Sequence, residues 1–112
     1  MEKLTEKQIN LFKRCKCKEK DFLKEKDINY LEESLKLLSS KARLKILFVL
    51  NEKPHCVCDL ITHLDLSQTL VSYHLDELRQ TGFVESERNG KFIDYKLSKK
   101  AQNFIYFLKE IL

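Results

Sequence analysis

The chain has 112 residues, enough for one domain, and its 43% hydrophobic residues allow a core beneath a highly charged surface. Only two Gly and one Pro occur, which excludes loop-rich and low-complexity chains and favours helices. The net charge of +4 comes from residues 1–26, because residues 27–112 hold twelve basic and twelve acidic side chains. Residues 27–112 therefore lack the overall basic charge that is typical of nucleic-acid binding.

The uncharged segments are too short to cross a membrane. The longest, residues 66–75, has about half the length that a spanning helix requires. The first residues, MEKLTEKQINLFKR, lack the apolar run of a secretory signal. We therefore expect a soluble, cytoplasmic protein without a membrane partner.

The pattern of the chain changes after its first quarter. Residues 1–26 show no sustained apolar period, which predicts a basic N-terminal arm, and residues 27–112 are predicted to form the folded domain. A first helix is predicted to begin at Asp27. Its apolar residues recur at helical spacing: Ile28, Leu31, Leu35 and Leu38. A second, very apolar helix is predicted over residues 41–51, ahead of Pro54.

The middle of the chain has the pattern of two helices joined by a tight turn. A short helix is predicted over residues 56–64, with the turn at residues 65–67. Ser67 is a suitable N-cap for a longer helix from Gln68 to about Thr81, which ends at Gly82. Four residues are expected on the inner side of this longer helix: Leu70, Val71, Leu75 and Leu78.

A hairpin and a final helix follow. Asn89-Gly90 is a strong turn signal between strands predicted over residues 83–88 and 91–97. Ser98 is placed to cap a last amphipathic helix. The complete order predicts a mainly α fold with a β-hairpin wing, a winged helix-turn-helix. Three apolar residues of the last helix are expected in a dimer interface: Phe104, Leu108 and Ile111.

This arrangement indicates which residues contact DNA. In helix-turn-helix proteins the start of the second helix meets base edges, and neighbouring side chains contact phosphates. The predicted contact residues on that helix are Gln68, Thr69, Ser72, Tyr73 and His74. Arg88 and Lys91 near the hairpin tip suit a minor groove or the DNA backbone. An ordinary solvated helix and hairpin is the alternative.

Four cysteines occur as two Cys-x-Cys pairs, Cys15/Cys17 and Cys56/Cys58. In a reducing cytosol such pairs favour metal or redox chemistry over structural disulfides. Thiolates are soft ligands that select ions such as zinc, cadmium, lead or arsenite. Residues i and i+2 of a regular helix point about 200° apart. We therefore expect Cys56 and Cys58 to share an ion only if the first helical turn is frayed or distorted, and burial as small hydrophobes is the alternative.

Three segments together resemble the ArsR/SmtB family of metal-responsive repressors: LSSKARLKILFVL, CVCDL and LSQTLVSYHLDELRQTGFVESERNGKFIDYKL. The resemblance covers about residues 35–97. It implies a homodimeric winged-helix protein that binds operator double-stranded DNA and leaves it when metal binds. Ile61 stands where arsenical-responsive members carry a third cysteine. In cadmium- and lead-responsive members N-terminal cysteines complete the site, which implies that Cys15 and Cys17 join Cys56 and Cys58.

Two functions of the same fold therefore stay open. One is a repressor that releases its operator on binding cadmium, lead, zinc or arsenite, without an organic cofactor. The other is a thiol-redox or sulfur-sensing repressor that is switched by cysteine oxidation. His55 and His63 are further candidate ligands, although a histidine near a helix start more often lies at the surface. An enzyme is not expected, because a thiol oxidoreductase needs Cys-x-x-Cys and a βαβ pattern.

Overall fold

The computed structural model describes residues 23–112, so the predictions for most of the N-terminal arm, including Cys15 and Cys17, lie outside the described residues. The chain divides into two units, Met1–Glu32 and Glu33–Leu112. Helix α1 (Glu25–Leu38) begins two residues before the predicted start, and Asp27 lies in its first turn rather than capping it. Of its apolar residues at helical spacing, only Leu38 is buried.

The second unit contains the remaining helices and strands of the described residues. In chain order they are α2 (Lys41–Glu52), β1 (His55–Cys56), α3 (Val57–Leu64), α4 (Gln68–Gln80), β2 (Val84–Asn89), β3 (Phe92–Leu97) and α5 (Lys99–Ile111). Serine side chains cap three of these helices. Ser40, Ser67 and Ser98 accept hydrogen bonds from the backbone N–H groups of Arg43, Leu70 and Ala101, at 3.4, 3.2 and 3.2 Å. The caps that the sequence predicted at Ser67 and Ser98 are thus confirmed.

Helix α4 packs its predicted inner face into the core, with one exception. Val71, Leu75 and Leu78 are completely buried, but Leu70 is 47% exposed. Val71 and Leu75 are one turn apart, whereas Leu70 lies about 100° from Val71 around the helix. The predicted inward position of Leu70 is therefore wrong. The helix ends as predicted near Gly82, which has a φ of 82°.

The three strands form an antiparallel sheet in the order β1-β3-β2. Asn89 pairs with Phe92, so Gly90 and Lys91 form the hairpin turn, one residue later than the predicted Asn89-Gly90. Of these two turn residues only Gly90 has a positive φ, at 65°, which matches a type II′ turn. Strand β1 has two residues and was missed by the sequence analysis, because so short a strand shows no period.

Helix α5 packs two of its three predicted interface residues partly against the core. Phe104 and Leu108 pack against the core, and the Phe104 ring lies 6.2 Å from the Phe83 ring, centre to centre. Both side chains are half-buried in the single chain, so their predicted place in a dimer interface stays a prediction. The apolar side chains that α5 exposes are Tyr106, Phe107 and Ile111.

The order of α3, a tight turn, α4 and the β2–β3 hairpin confirms the predicted winged helix-turn-helix. Asp65 ends α3 with a φ of 53°, and its N–H donates to the carbonyl of Ile61 at 3.0 Å. A left-handed residue here turns the chain sharply into Ser67, the cap of α4. Across residues 23–112, no helix has the length and apolar character needed to span a membrane.

Candidate metal centre and nucleic-acid interface

Cys56 and Cys58 lie on either side of a strand–helix boundary. Cys56 ends β1, has an extended backbone (φ −84°, ψ 168°) and is the N-cap of α3, whereas Cys58 lies in the first turn of α3. Their sulfur atoms are in contact as a disulfide pair, and their Cα atoms are 5.4 Å apart. The two thiols point apart only where both residues are helical. Because Cys56 precedes the regular helix, the two sulfur atoms can meet, as the expectation of a frayed first turn allows. That they share an ion stays a prediction.

Asp59 is the third member of the cysteine cluster. One carboxylate oxygen of Asp59 and the two sulfur atoms all lie within 4.8 Å of one another. Of residues 23–112, these three form the one such group of potential metal ligands. Two sulfur ligands suit a soft ion, and a tetrahedral site would leave a position for a fourth ligand. The sequence analysis missed Asp59, although it directly follows Cys58 in the CVCDL motif.

His55 does not lie at the surface as expected. It is only 6% exposed, and its Nε2 has no hydrogen-bond partner. Its Nδ1 lies 3.5 Å from a carboxylate oxygen of Asp59. His63 is exposed as expected, and its ring centre is 5.4 Å from that of His55. The two histidines and Asp59 line a surface cavity together with residues of α2.

The predicted DNA-contacting residues of α4 fall into two groups. Gln68, Thr69 and Tyr73 are exposed, and they lie in the first two turns of the helix. Ser72 and His74 are half-buried. The structure therefore leaves a polar and aromatic surface at the start of α4, while His74 also contacts the interior.

Arg43 of α2 holds this part of α4 in place. Its Nε donates to Nδ1 of His74 at 3.1 Å, and its Nη1 donates to the carbonyl of Leu37 at 3.1 Å. Its guanidinium carbon lies 5.7 Å from the centre of the Tyr73 ring. Burial, and secondly the positive charge of Arg43, lower the pKa of His74. Because Nδ1 accepts the hydrogen bond from Arg43, the proton of the neutral ring lies on Nε2.

The sequence analysis missed Arg43 because it resembles any basic residue of an amphipathic helix and lies 31 positions from His74.

The hairpin residues that were predicted to contact DNA lie at the surface. Arg88 and Lys91 are both exposed near the turn. Arg88 also donates from Nε to the carbonyl of Gly90 at 3.4 Å, a long hydrogen bond that leaves most of the guanidinium free to bind an anion.

Comparisons with known proteins agree with this architecture. Residues 40–86 match the profile of the family described as bacterial regulatory protein, arsR family. The arsenical resistance operon repressor of Escherichia coli K12 is 44% identical over 64 residues, 56% of this chain and 55% of that protein. The cadmium resistance transcriptional regulatory protein CadC of Listeria innocua is 35% identical over 83 residues, 69% of this chain and 70% of that protein.

A solved structure shows the same fold. The crystal structure of the transcriptional repressor BigR from Xylella fastidiosa superposes with a TM-score of 0.71 at 35% identity. The superposition covers 79% of this chain and 88% of that one. The helix-turn-helix and wing described above thus belong to an architecture that DNA-binding repressors use.

Proposed function

The chain belongs to the ArsR/SmtB family of DNA-binding transcriptional regulators, and we propose that it is a cytoplasmic repressor that releases its operator when Cys56 and Cys58 bind a thiophilic ion. The observation that carries the proposal is the convergence of both sulfur atoms and Asp59 at the start of α3. The related repressors named for arsenicals and for cadmium support an effector of this chemical class. The candidate ions are cadmium, lead, zinc and arsenite.

The position of the cysteines supports a coupling between ion and DNA. An ion can drive release only if it binds the DNA-free form more tightly than the DNA-bound form. Cys56 pairs with Asp94 of β3, which is a wing strand, whereas Cys58 lies in α3, which packs against α4. Cys56 is therefore attached to the wing, and Cys58 is attached to the helix that packs against α4. A change in their separation or orientation acts on both elements.

We propose that DNA is read by the residues predicted from the sequence. The exposed polar groups of Gln68 and Thr69 suit base edges, and the exposed charges of Arg88 and Lys91 suit phosphates. His74 is proposed to donate from Nε2, because Arg43 occupies its other nitrogen.

We further propose that the repressor is a homodimer, in which two copies read a two-fold-related operator. The support is the apolar face that α5 leaves exposed, with Tyr106, Phe107 and Ile111. We also propose that Cys15 and Cys17 complete the donor set of the thiolate site. No organic cofactor is needed.

The test of the proposal is operator binding with and without metal, under anaerobic reducing conditions. Fluorescence anisotropy of a labelled operator fragment is measured for the native chain and for the Cys56→Ser/Cys58→Ser variant. We expect equal affinity without metal, and a metal-dependent loss of about 5–150-fold, the usual range of such couplings, in the native chain alone. The Cys15→Ser/Cys17→Ser variant is the matched control and should still release DNA, at higher metal concentrations. Release by the Cys56/Cys58 variant at the native metal concentration would disprove the mechanism.

The contact between the two sulfur atoms favours one alternative, a thiol-redox switch of the same repressor. In that case Cys56 and Cys58 lose two electrons and two protons to an oxidant such as hydrogen peroxide and form a disulfide. With metals removed by a chelator, peroxide would then release the operator, and dithiothreitol would restore binding. Operator affinity that peroxide leaves unchanged excludes this alternative.

A further inference from the structure

We propose that His55, Asp59 and His63 form a second cation site, beside the cysteine pair, for a borderline divalent ion such as zinc, cobalt(II) or nickel(II). This inference goes beyond the proposed function, because it concerns imidazole ligands that the thiolate mechanism does not use. His55 and Asp59 lie at the strand–helix boundary and His63 near the end of α3, and the three line one surface cavity. His55 comes from β1, and the other two come from α3.

The burial of His55 is the first argument. The side chain is buried, with 6% of its surface exposed. Its Nε2 is buried without a hydrogen-bond partner. A buried unpartnered polar group destabilises a fold by roughly 1–3 kcal/mol. Burial holds the imidazole ring in place, and the other nitrogen, Nδ1, is the one that faces Asp59 and can bind an ion.

The distance between His55 and Asp59 is the second argument. Nδ1 of His55 and the nearer carboxylate oxygen are 3.5 Å apart. A charge-assisted hydrogen bond between such groups is shorter, about 2.7–2.9 Å. Two ligand atoms on one tetrahedral zinc ion, each about 2.0–2.2 Å from the metal, are about 3.3–3.6 Å apart. The observed pair thus has the spacing of two metal ligands.

The position of His63 is the third argument. It follows Asp59 by four residues, one turn later on α3, and its ring centre is 5.4 Å from that of His55. Two imidazoles on one tetrahedral ion place their ring centres about 5 Å apart. Among residues 23–112, the group of potential ligand atoms within 4.8 Å of one another comes from Cys56, Cys58 and Asp59 and does not include His63. The His63 side chain must therefore rotate to bring its nitrogen to an ion bound by His55 and Asp59. The side chain is exposed, and α3 leaves it room to do so.

The donor set decides which ions bind. Two imidazoles and one carboxylate are borderline and hard ligands, which suit zinc, cobalt(II) and nickel(II) rather than cadmium, lead or arsenite. Asp59 belongs to both clusters, because its carboxylate also lies within 4.8 Å of the two sulfur atoms. The two clusters are thus adjacent, and they differ in the ions that they prefer.

The test uses the full chain with all four cysteines replaced by Ser, which removes the thiolate site. Zinc binding is measured by isothermal titration calorimetry, and the imidazole nitrogens are followed by ¹⁵N NMR. The chain has three histidines, so His74 is an internal reference. We expect one zinc ion per chain, with shifted nitrogen resonances for His55 and His63 and unchanged ones for His74. His63→Ala should weaken zinc binding at least about tenfold, whereas Thr62→Ala, an exposed neighbour on α3, should not.

The result does not depend on the proposed function, because the cysteines are absent. Zinc binding that His63→Ala leaves intact, or histidine resonances that zinc does not shift, would overturn the second site. If the cysteine-free chain fails to fold, as judged by circular dichroism, the same spectra are recorded with the Cys56→Ser/Cys58→Ser variant, in which no thiolate-bound ion can occupy Asp59. A shift of His55 and His63 on adding zinc then supports the site, and its absence overturns it.

Discussion

The side chain of Arg43 ties α2 to the helix that is proposed to read DNA, and its loss should weaken the fold measurably. Arg43→Met keeps most of the apolar stem but removes the hydrogen bonds to His74 and Leu37 and the contact with the Tyr73 ring. A hydrogen bond from a charged donor contributes about 1.5–3 kcal/mol, and an exposed cation–π contact about 0.5–1 kcal/mol. Because all partners are at least partly exposed, we expect a loss of about 2–3 kcal/mol in total.

The substitution should also change how stability depends on pH. The pKa of His74 is lowered by burial and secondly by Arg43, so the unfolded chain binds a proton at higher pH than the folded chain. The stability that depends on neutral His74 is therefore present above the unfolded pKa of about 6.5, and it is lost as the pH falls below that value. Without Arg43 the pKa of His74 rises towards its ordinary value, although burial still lowers it. The loss of stability on acidification should then be smaller.

Urea unfolding followed by circular dichroism between pH 5 and 7.5 measures both effects, and NMR titration of His74 measures the pKa directly. Arg79→Met on α4 is the matched control. Arg79 is exposed and forms only a surface ion pair with Asp76 at 3.6 Å, so its loss should change stability by less than about 0.5 kcal/mol. Equal effects of the two substitutions, or an unchanged pKa of His74 in Arg43→Met, would refute the role assigned to Arg43.

Four further substitutions test the helix cap, the wing turn and the DNA-contacting residues. Ser67→Ala removes the cap that accepts from the N–H of Leu70 and should cost about 1 kcal/mol in urea unfolding. Gly90→Ala meets no atom within 4 Å but forces a side chain into a φ of 65°, so thermal unfolding should show a loss of about 1 kcal/mol. Gln68→Ala should reduce discrimination between operator sequences by about 1–3 kcal/mol, whereas Lys91→Ala should weaken all sequences equally and lower the salt slope by about one, as measured by anisotropy.

The fold was largely predictable because its signals are local. Serine caps, an apolar face and a glycine after α4 all act within a few residues, and they placed the helices within two residues of their observed ends. The errors arose where tertiary packing decides. Leu70 is apolar but lies at the edge of the buried face. Phe104 was predicted only in a dimer interface, and its contact with Phe83 of the same chain was missed. The helical period predicts which face of a helix is apolar, but the neighbouring helices and strands determine how much of that face is buried.

The candidate site was predictable in its ligands but not in its geometry. The CVCDL motif indicated thiolate chemistry at Cys56 and Cys58, and the structure brings these two residues together. The motif does not show that helix α3 begins between the two cysteines. The sequence analysis therefore placed both cysteines in the helix, where their thiols would point apart. The contact of Arg43 with His74 joins residues far apart in the chain, and no local pattern reports it.

The strand β1 explains why the donor groups face as they do. Successive residues of a strand point to opposite sides, so pairing of His55 with Tyr95 and of Cys56 with Asp94 buries the imidazole and turns the thiol towards Cys58. A shift of the pairing by one residue would reverse both side chains. The register is set by β3, about forty residues later in the chain. The chemistry of both proposed cation sites therefore rests on two pairs of residues in the sheet, and the same strand β3 continues into the wing that is proposed to contact DNA.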